Sequence, residues 1–172
     1  MSNLITSREQ LENYFQENGL DFVTVEHEAA FTVEQLLALS DRMPGAHHKH
    51  LFVRNKKTGQ LYLIVARHDA NVDLKKVAVN MGFGGGNIRF ANDDILFETL
   101  GVRQGAVTLF ALVNDIDQQK VTLIMDRKVL DNQGDTKLWW HPMVNTATTG
   151  ITSDTLTKLM ALLKHEPVLM DF

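Results

Sequence analysis

The sequence predicts an α/β protein in which helices surround a mixed, curved β-sheet. Three observations carry that expectation. Capping patterns mark helix starts at Ser7–Gln10 and Thr32–Gln35, where a hydroxyl and a glutamine three residues on can satisfy each other's backbone N–H groups. The apolar segments HLFVRN (50–55) and QLYLIVAR (60–67) flank Lys56-Lys57-Thr58-Gly59 and read as a hairpin. Strand-like and helix-like segments are otherwise mixed irregularly along the chain, with no internal repeat. Periodicity alone does not fix the topology.

The elements follow in order. Ser7 opens a first helix whose Leu11, Tyr14 and Phe15 form one stripe, ending near Gly19. DFVTVEH (21–27) alternates as a strand does. Thr32 opens a short helix with Leu36, Leu37 and Leu39 turned inward. After the hairpin, residues 72–81 read as a helix beginning from Asn71 or Asp73, and MGFGGGNIRFA (81–91) as a flexible stretch leading to a short strand. Asp93 to Leu100 reads as a helix stopped by Gly101. Residues 106–113 and 120–126 are expected to be strands joined across Asn114–Gln119. Thr152 or Ser153 caps a last helix with Leu156, Leu159, Met160 and Leu163 on one face, and EPVLMDF (166–172) closes as a strand.

Composition narrows the function. The 172 residues suit one domain spanning 1–172, and a chain of this length can bury roughly 70% of its unfolded surface. No apolar run approaches the ~20 residues a membrane helix needs. The polar, acidic beginning has the character of neither a signal peptide nor a transit peptide. The absence of cysteine excludes disulfides and thiolate chemistry and fits a cytoplasmic protein. With 17 basic and 21 acidic side chains, a net charge of −4 argues against broad wrapping of nucleic acid, though not against gripping one end of a tRNA. Positive charge is dense from Lys49 to Lys57, which by itself describes a solvated hairpin edge.

Three segments carry candidate chemistry. AHHKHLFVRN (46–55) places Lys49 among His47, His48 and His50 at the mouth of a strand, where a compact ammonium can hold a phosphate or a developing negative charge. Taken alone, Lys49 would be an ordinary strand-edge lysine. The histidines make a poor metal site, because His48 and His50 share a face while His47 points away, with no carboxylate or cysteine nearby. LGVRQGAVTLFAL (100–112) brackets its approach to a strand with Gly101 and Gly105, glycines that let backbone come close to a ligand, although Gly101 also suits a helix cap. WWHPMVNTATTGI (139–151) is a His141-Pro142 corner followed by Asn145, Thr146, Thr148 and Thr149, residues that equally serve turns and caps. Gly84-Gly85-Gly86 lacks a phosphate-loop ending, and no serine lies in a nucleophile-elbow context.

In this order, together with VEHEAAFTVEQL (25–36) and the closing helix and strand of 151–172, these segments resemble the YbaK-like editing domains associated with prolyl-tRNA synthetase. The match is nearest to the free-standing branch that hydrolyses alanyl-tRNA(Pro). The resemblance covers most of the chain and implies that family's fold. It implies that Lys49 is a functionally required lysine that anchors the 3′-terminal adenosine of the CCA end and so orients the aminoacyl ester. His50 adjoins it in the pocket, and His27 and Thr32 match the first motif. Gly105 matches the glycine of a Gly-x-x-x-Pro loop that contacts the amino acid, while Leu109 stands where that loop carries proline. His141 and the nearby Asn145 belong to the aminoacyl pocket, with Gly101 approaching through its backbone. The substrate's own 2′-hydroxyl helps to activate water, and neither a metal nor an organic cofactor is implied. The partners implied are an aminoacyl-tRNA and prolyl-tRNA synthetase, with no membrane and no DNA. Rival readings are deacylation of cysteinyl-tRNA(Pro), a non-catalytic tRNA- or synthetase-binding module, and a small-molecule binder with a basic pocket.

Overall fold

The computed structural model describes residues 3–172. The first helix, α1 (Arg8–Glu17), starts on Ser7, whose hydroxyl accepts the Gln10 N–H while the Gln10 side chain accepts the Ser7 N–H. Such a box stabilises a helix start by about 1 kcal/mol. β1 (Val23–Glu26) follows, and then α2 (Val33–Leu37), capped in the same way by Thr32 and Gln35. Leu36 is buried and Leu37 and Leu39 are half-buried, so the inward face is as expected.

The central strand β2 (Ala46–Asn55) runs into β3 (Leu61–Arg67) through the expected hairpin. β2 begins four residues earlier than its apolar run implies, so Lys49 lies inside the strand rather than ahead of it. Next come α3 (Leu74–Asn80), capped by Asp73, β4 (Ile88–Phe90) and α4 (Asp93–Leu100). Gly101 ends α4 at φ +70°, a left-handed cap that glycine adopts without strain. β5 (Val121–Asp126), β6 (Leu138–Trp140), β7 (Ala147–Ile151), α5 (Ser153–Leu163) and β8 (Val168–Met170) complete the chain.

Two expectations are corrected. The run 106–113 is not a strand; Leu109–Asp115 is a 3-10 segment opened by Thr108, whose hydroxyl accepts the Phe110 N–H at 3.3 Å. Leu109, Phe110, Ala111 and Leu112 are all fully buried. An apolar run buried on every side has no alternation to separate strand from helix. Conversely, 138–140 and 147–151, read as a corner and hydroxyl-rich turns, are the strands β6 and β7.

The strands join in the order β1-β7-β6-β2-β3-β5-β8, with β4 beside the end of β2. β2–β3, β2–β4, β6–β7 and β1–β7 are antiparallel, whereas β2–β6, β3–β5 and β5–β8 are parallel, so the sheet is mixed. Alternation on β3 divides the core. Leu63 and Val65 join Phe15, Phe110 and Trp140 on one face, while Tyr62 and Ile64 pack with Val53 and Val77 on the other. A fully buried leucine or isoleucine there contributes about 1.5–3 kcal/mol. Among the described residues, no helix is long and apolar enough to cross a membrane.

Candidate functional site

The site is built on the change of neighbours along β2. The strand's odd-numbered residues bond to β3: the His47 carbonyl accepts the His68 N–H at 3.0 Å, and the Asn55 N–H donates to the Gln60 carbonyl at 2.9 Å. Its even-numbered residues therefore turn their N–H and C=O groups to the opposite edge. There, β6 pairs only with Ala46 and His47, and β4 takes over at Val53. The Ala91 N–H reaches back to the Phe52 carbonyl at 3.0 Å. Between these contacts the edge of β2 lies open, and a cavity of about 590 Å³ stands against it.

His48, Lys49, His50, Thr32, Gly105 and His141 all line this cavity. The Lys49 ammonium donates to the Ala70 carbonyl in the turn after β3. An ammonium has three N–H donors, so two remain for a ligand. His48 stacks on Trp140 with ring centroids 4.6 Å apart, and His47 stacks on Trp139 on the other side of the strand at 6.3 Å. This is the face alternation expected of the three histidines. The Nε2 atoms of His48 and His50 are buried without a hydrogen-bond partner. Burial holds the His48 imidazole down to about 3 and the His50 imidazole well below its ordinary value, so both are neutral near pH 7.

His141 stands opposite. Its Nδ1 lies 3.1 Å from the Ala147 carbonyl, an acceptor, so Nδ1 carries the proton and Nε2 keeps a lone pair. Burial lowers its pKa, and the nearby His27 adds to that against the opposing effect of the Ala147 bond. The His27 ring centroid is 6.4 Å from that of His141. His27 is not on the cavity wall. Its Nδ1–H donates to the Glu28 carbonyl at 2.6 Å, and its Nε2 accepts the Thr148 hydroxyl at 2.7 Å.

The remaining candidates separate. Gly105, at φ +93°, packs under Phe31: a Cβ there would come within 2.9 Å of the Phe31 ring and 3.5 Å of the Asn145 amide nitrogen. Asn145 stands behind that wall, its backbone carbonyl accepting the Ala30 N–H at 3.0 Å. Gly101 and Leu109 do not reach the cavity. A Cβ at Gly101 would meet Asn114 and Ile5, and Leu109 is fully buried in the main core because its segment coils inward instead of running as a strand. Neither of the two, expected to approach the substrate, lies on the cavity wall. Sequence reasoning missed Phe31, Phe90 and Asp93. The two phenylalanines are 68% and 60% exposed on the cavity rim, an exposure no side-chain pattern announces. Asp93 accepts the Gln104 N–H and pairs with Arg103, and these two contacts hold its carboxyl below the usual range.

A model of the aminoacyl-tRNA editing domain matches residues 27–159, a range that includes β2 and every residue lining the cavity. The chain belongs to the aminoacyl-tRNA editing domain family. It is 34% identical over 96% of its length to the prolyl-tRNA synthetase associated domain-containing protein 1 of Xenopus laevis, covering 96% of that protein. It is 28% identical to the prolyl-tRNA editing protein ProX of Acetoanaerobium sticklandii over 82% of each chain. Its fold is similar to a solved structure described as a candidate trans-editing enzyme for prolyl tRNA synthetase, with a TM-score of 0.69, 18% identity and 99% of each chain covered.

Proposed function

We propose that this editing-family domain hydrolyses mischarged aminoacyl-tRNA in trans, with alanyl-tRNA(Pro) as its substrate. One observation carries the reading: Lys49 and His141, from segments far apart in the chain, line the same cavity. The need for such an enzyme is physical. A synthetase pocket built for proline cannot exclude a smaller amino acid by size, because a lost methylene changes binding by only ~1–3 kcal/mol. A second, smaller sieve supplies the discrimination.

In this mechanism the two free donors of Lys49 hold the terminal nucleotide of the CCA end. The His141 Nε2 lone pair accepts a hydrogen bond from water and aims its oxygen at the acyl carbon, with the ribose 2′-hydroxyl assisting. The new C–O bond forms, the ester bond to the ribose breaks, and the ribose oxygen takes the proton, releasing amino acid and tRNA. The ester is labile, so fixing these groups in place supplies much of the acceleration. Prolyl-tRNA synthetase in the cytoplasm is the source of the mischarged substrate.

The test is to incubate the protein at substoichiometric amounts with alanyl-, cysteinyl- and prolyl-tRNA(Pro), and to follow amino-acid release beside Lys49→Ala. Alanine is expected to be released fastest and proline retained, with Lys49→Ala at least about 100-fold slower, the scale of losing an electrostatic contact in the transition state. Release of neither alanine nor cysteine refutes the enzyme, and full activity in Lys49→Ala refutes the site. The binding-module reading predicts retention of tRNA without turnover.

A further inference from the structure

The open edge of β2 holds a pair of backbone groups that the mechanism above leaves unused. His50 is an even-numbered residue at the middle of the gap, so its N–H and C=O both face away from β3. β6 has ended at His47, and the β4 side does not begin until Phe52 accepts from Ala91. Among the described residues, no strand is in register with His50 on this edge, no backbone bond to a turn or loop reaches it, and His50 lines the cavity. Backbone N–H and C=O groups away from water are almost always paired, so a stretch of strand edge with no neighbouring strand, facing a cavity, is a place where a ligand can supply the partners.

Their arrangement states which ligand. One residue's N–H and C=O, side by side on a strand edge, are complementary to a carbonyl and an N–H carried on a single α-carbon, as in the hydrogen-bonded pair of an antiparallel ladder. An α-aminoacyl ester has those two groups. We propose that the His50 backbone binds the aminoacyl group as a one-residue strand, donating its N–H to the ester carbonyl and accepting from the α-ammonium at its C=O. This rests on the reading that an aminoacyl-tRNA enters this cavity.

Two consequences follow from strand geometry. Directly opposed residues of an antiparallel pair place their side chains on the same face. An L-aminoacyl side chain then lies on the His50 face, the side of β2 that carries His48 and its Trp140 partner, and this wall sets the size limit. A D-aminoacyl side chain is sent to the face of Lys49 and Leu51, where the terminal nucleotide is held. The His50 N–H also sits where negative charge develops on the carbonyl oxygen, so it serves as an oxyanion donor as well as a clamp.

Substrate and backbone tests are separable. Wild-type protein is given L-alanyl-, D-alanyl- and propionyl-tRNA(Pro), the last being alanine without its amine. The variants His50→Ala, which keeps the N–H, and His50→Pro, which removes it, are compared on L-alanyl-tRNA(Pro). Proline is tolerated on a strand where its nitrogen faces an unpaired edge, and circular dichroism checks the fold. The D-alanyl and propionyl esters are expected to be hydrolysed at least about 100-fold more slowly than the L-alanyl ester, and His50→Pro about 100-fold more slowly than His50→Ala with the loss in kcat, the scale of removing one oxyanion donor. Equal rates for the L-alanyl and propionyl esters, or for the L and D esters, overturn the proposal without any variant. Folded His50→Pro as active as His50→Ala overturns it as well. Those outcomes leave the deacylase standing, whereas failure of wild type on the L-alanyl ester removes both.

Discussion

Acidification isolates the environment of His48. The side chain is 5% exposed, stacks on Trp140 and leaves Nε2 without a partner, and burial holds its pKa down to about 3. In the unfolded chain an imidazole titrates near 6.5. Between those values the unfolded state binds the proton and the folded state does not. The contribution of His48 to stability is therefore fully present above about pH 6.5 and is lost as pH falls toward 3. At pH 5, a displacement from 6.5 to about 3 removes about 2 kcal/mol relative to neutral pH. Urea unfolding at pH 7.5 and 5 measures the loss in wild type and in His48→Gln, which cannot titrate. Groups remote from His48 act alike in both proteins and cancel in the difference. Wild type is expected to lose about 2 kcal/mol more than the variant. An equal loss in the two refutes the claim that this imidazole is buried neutral.

Three further perturbations address the fold and the cavity wall. Gly150→Ala would bring a Cβ within 2.7 Å of the buried Trp139 ring, so urea unfolding should report a loss of about 1–3 kcal/mol, the range for overpacking. Asp115→Ala strips acceptors from the Lys120 and Val121 N–H groups and from His165, whose Nε2 is 2.9 Å away, and a loss of about 3–5 kcal/mol is expected in the same assay. Gly105→Ala combines left-handed strain of about 1–2 kcal/mol with a push against Phe31, and steady-state deacylation should show a raised KM with a smaller change in kcat.

How much was legible in the sequence depended on whether the signal was local. Ser7 with Gln10 and Thr32 with Gln35 announced their helices because a cap is a contact within one turn. Gly101 announced the end of α4 for the same reason. Leu109–Asp115 misled because its burial comes from every side, which erases the alternation that distinguishes a strand. Thr148 and Thr149 misled in the opposite sense. Their hydroxyls, which on a solvated segment would signal turns, bond to His27 and to Thr24 across the sheet. Lys49, His50, Gly105 and His141 could be named as candidates from their motifs, but that they share one cavity depends on pairings between β2 and strands far along the chain.

The cavity itself is an interruption in the sheet. β6 runs parallel to β2 and stops at Trp140, with His141 and Pro142 next. Proline has no N–H to give a ladder and fixes its own φ, so the strand cannot carry on past that corner. Had β6 continued, its next residues would have closed the edge of β2 at His48 and His50. On the other side, β4 is three residues long and its reach ends where Ala91 meets Phe52. An open edge is ordinarily a liability because it invites another chain to pair. Here α2 with its preceding Phe31 and the loop at Gly105 line the cavity that stands against it. The side chains on β2 do not encode this gap, since the missing bonds are those of the backbone and belong to neighbours that ended. His141-Pro142 thus acts twice, once through an imidazole on the wall and once by stopping the strand that would have filled the site.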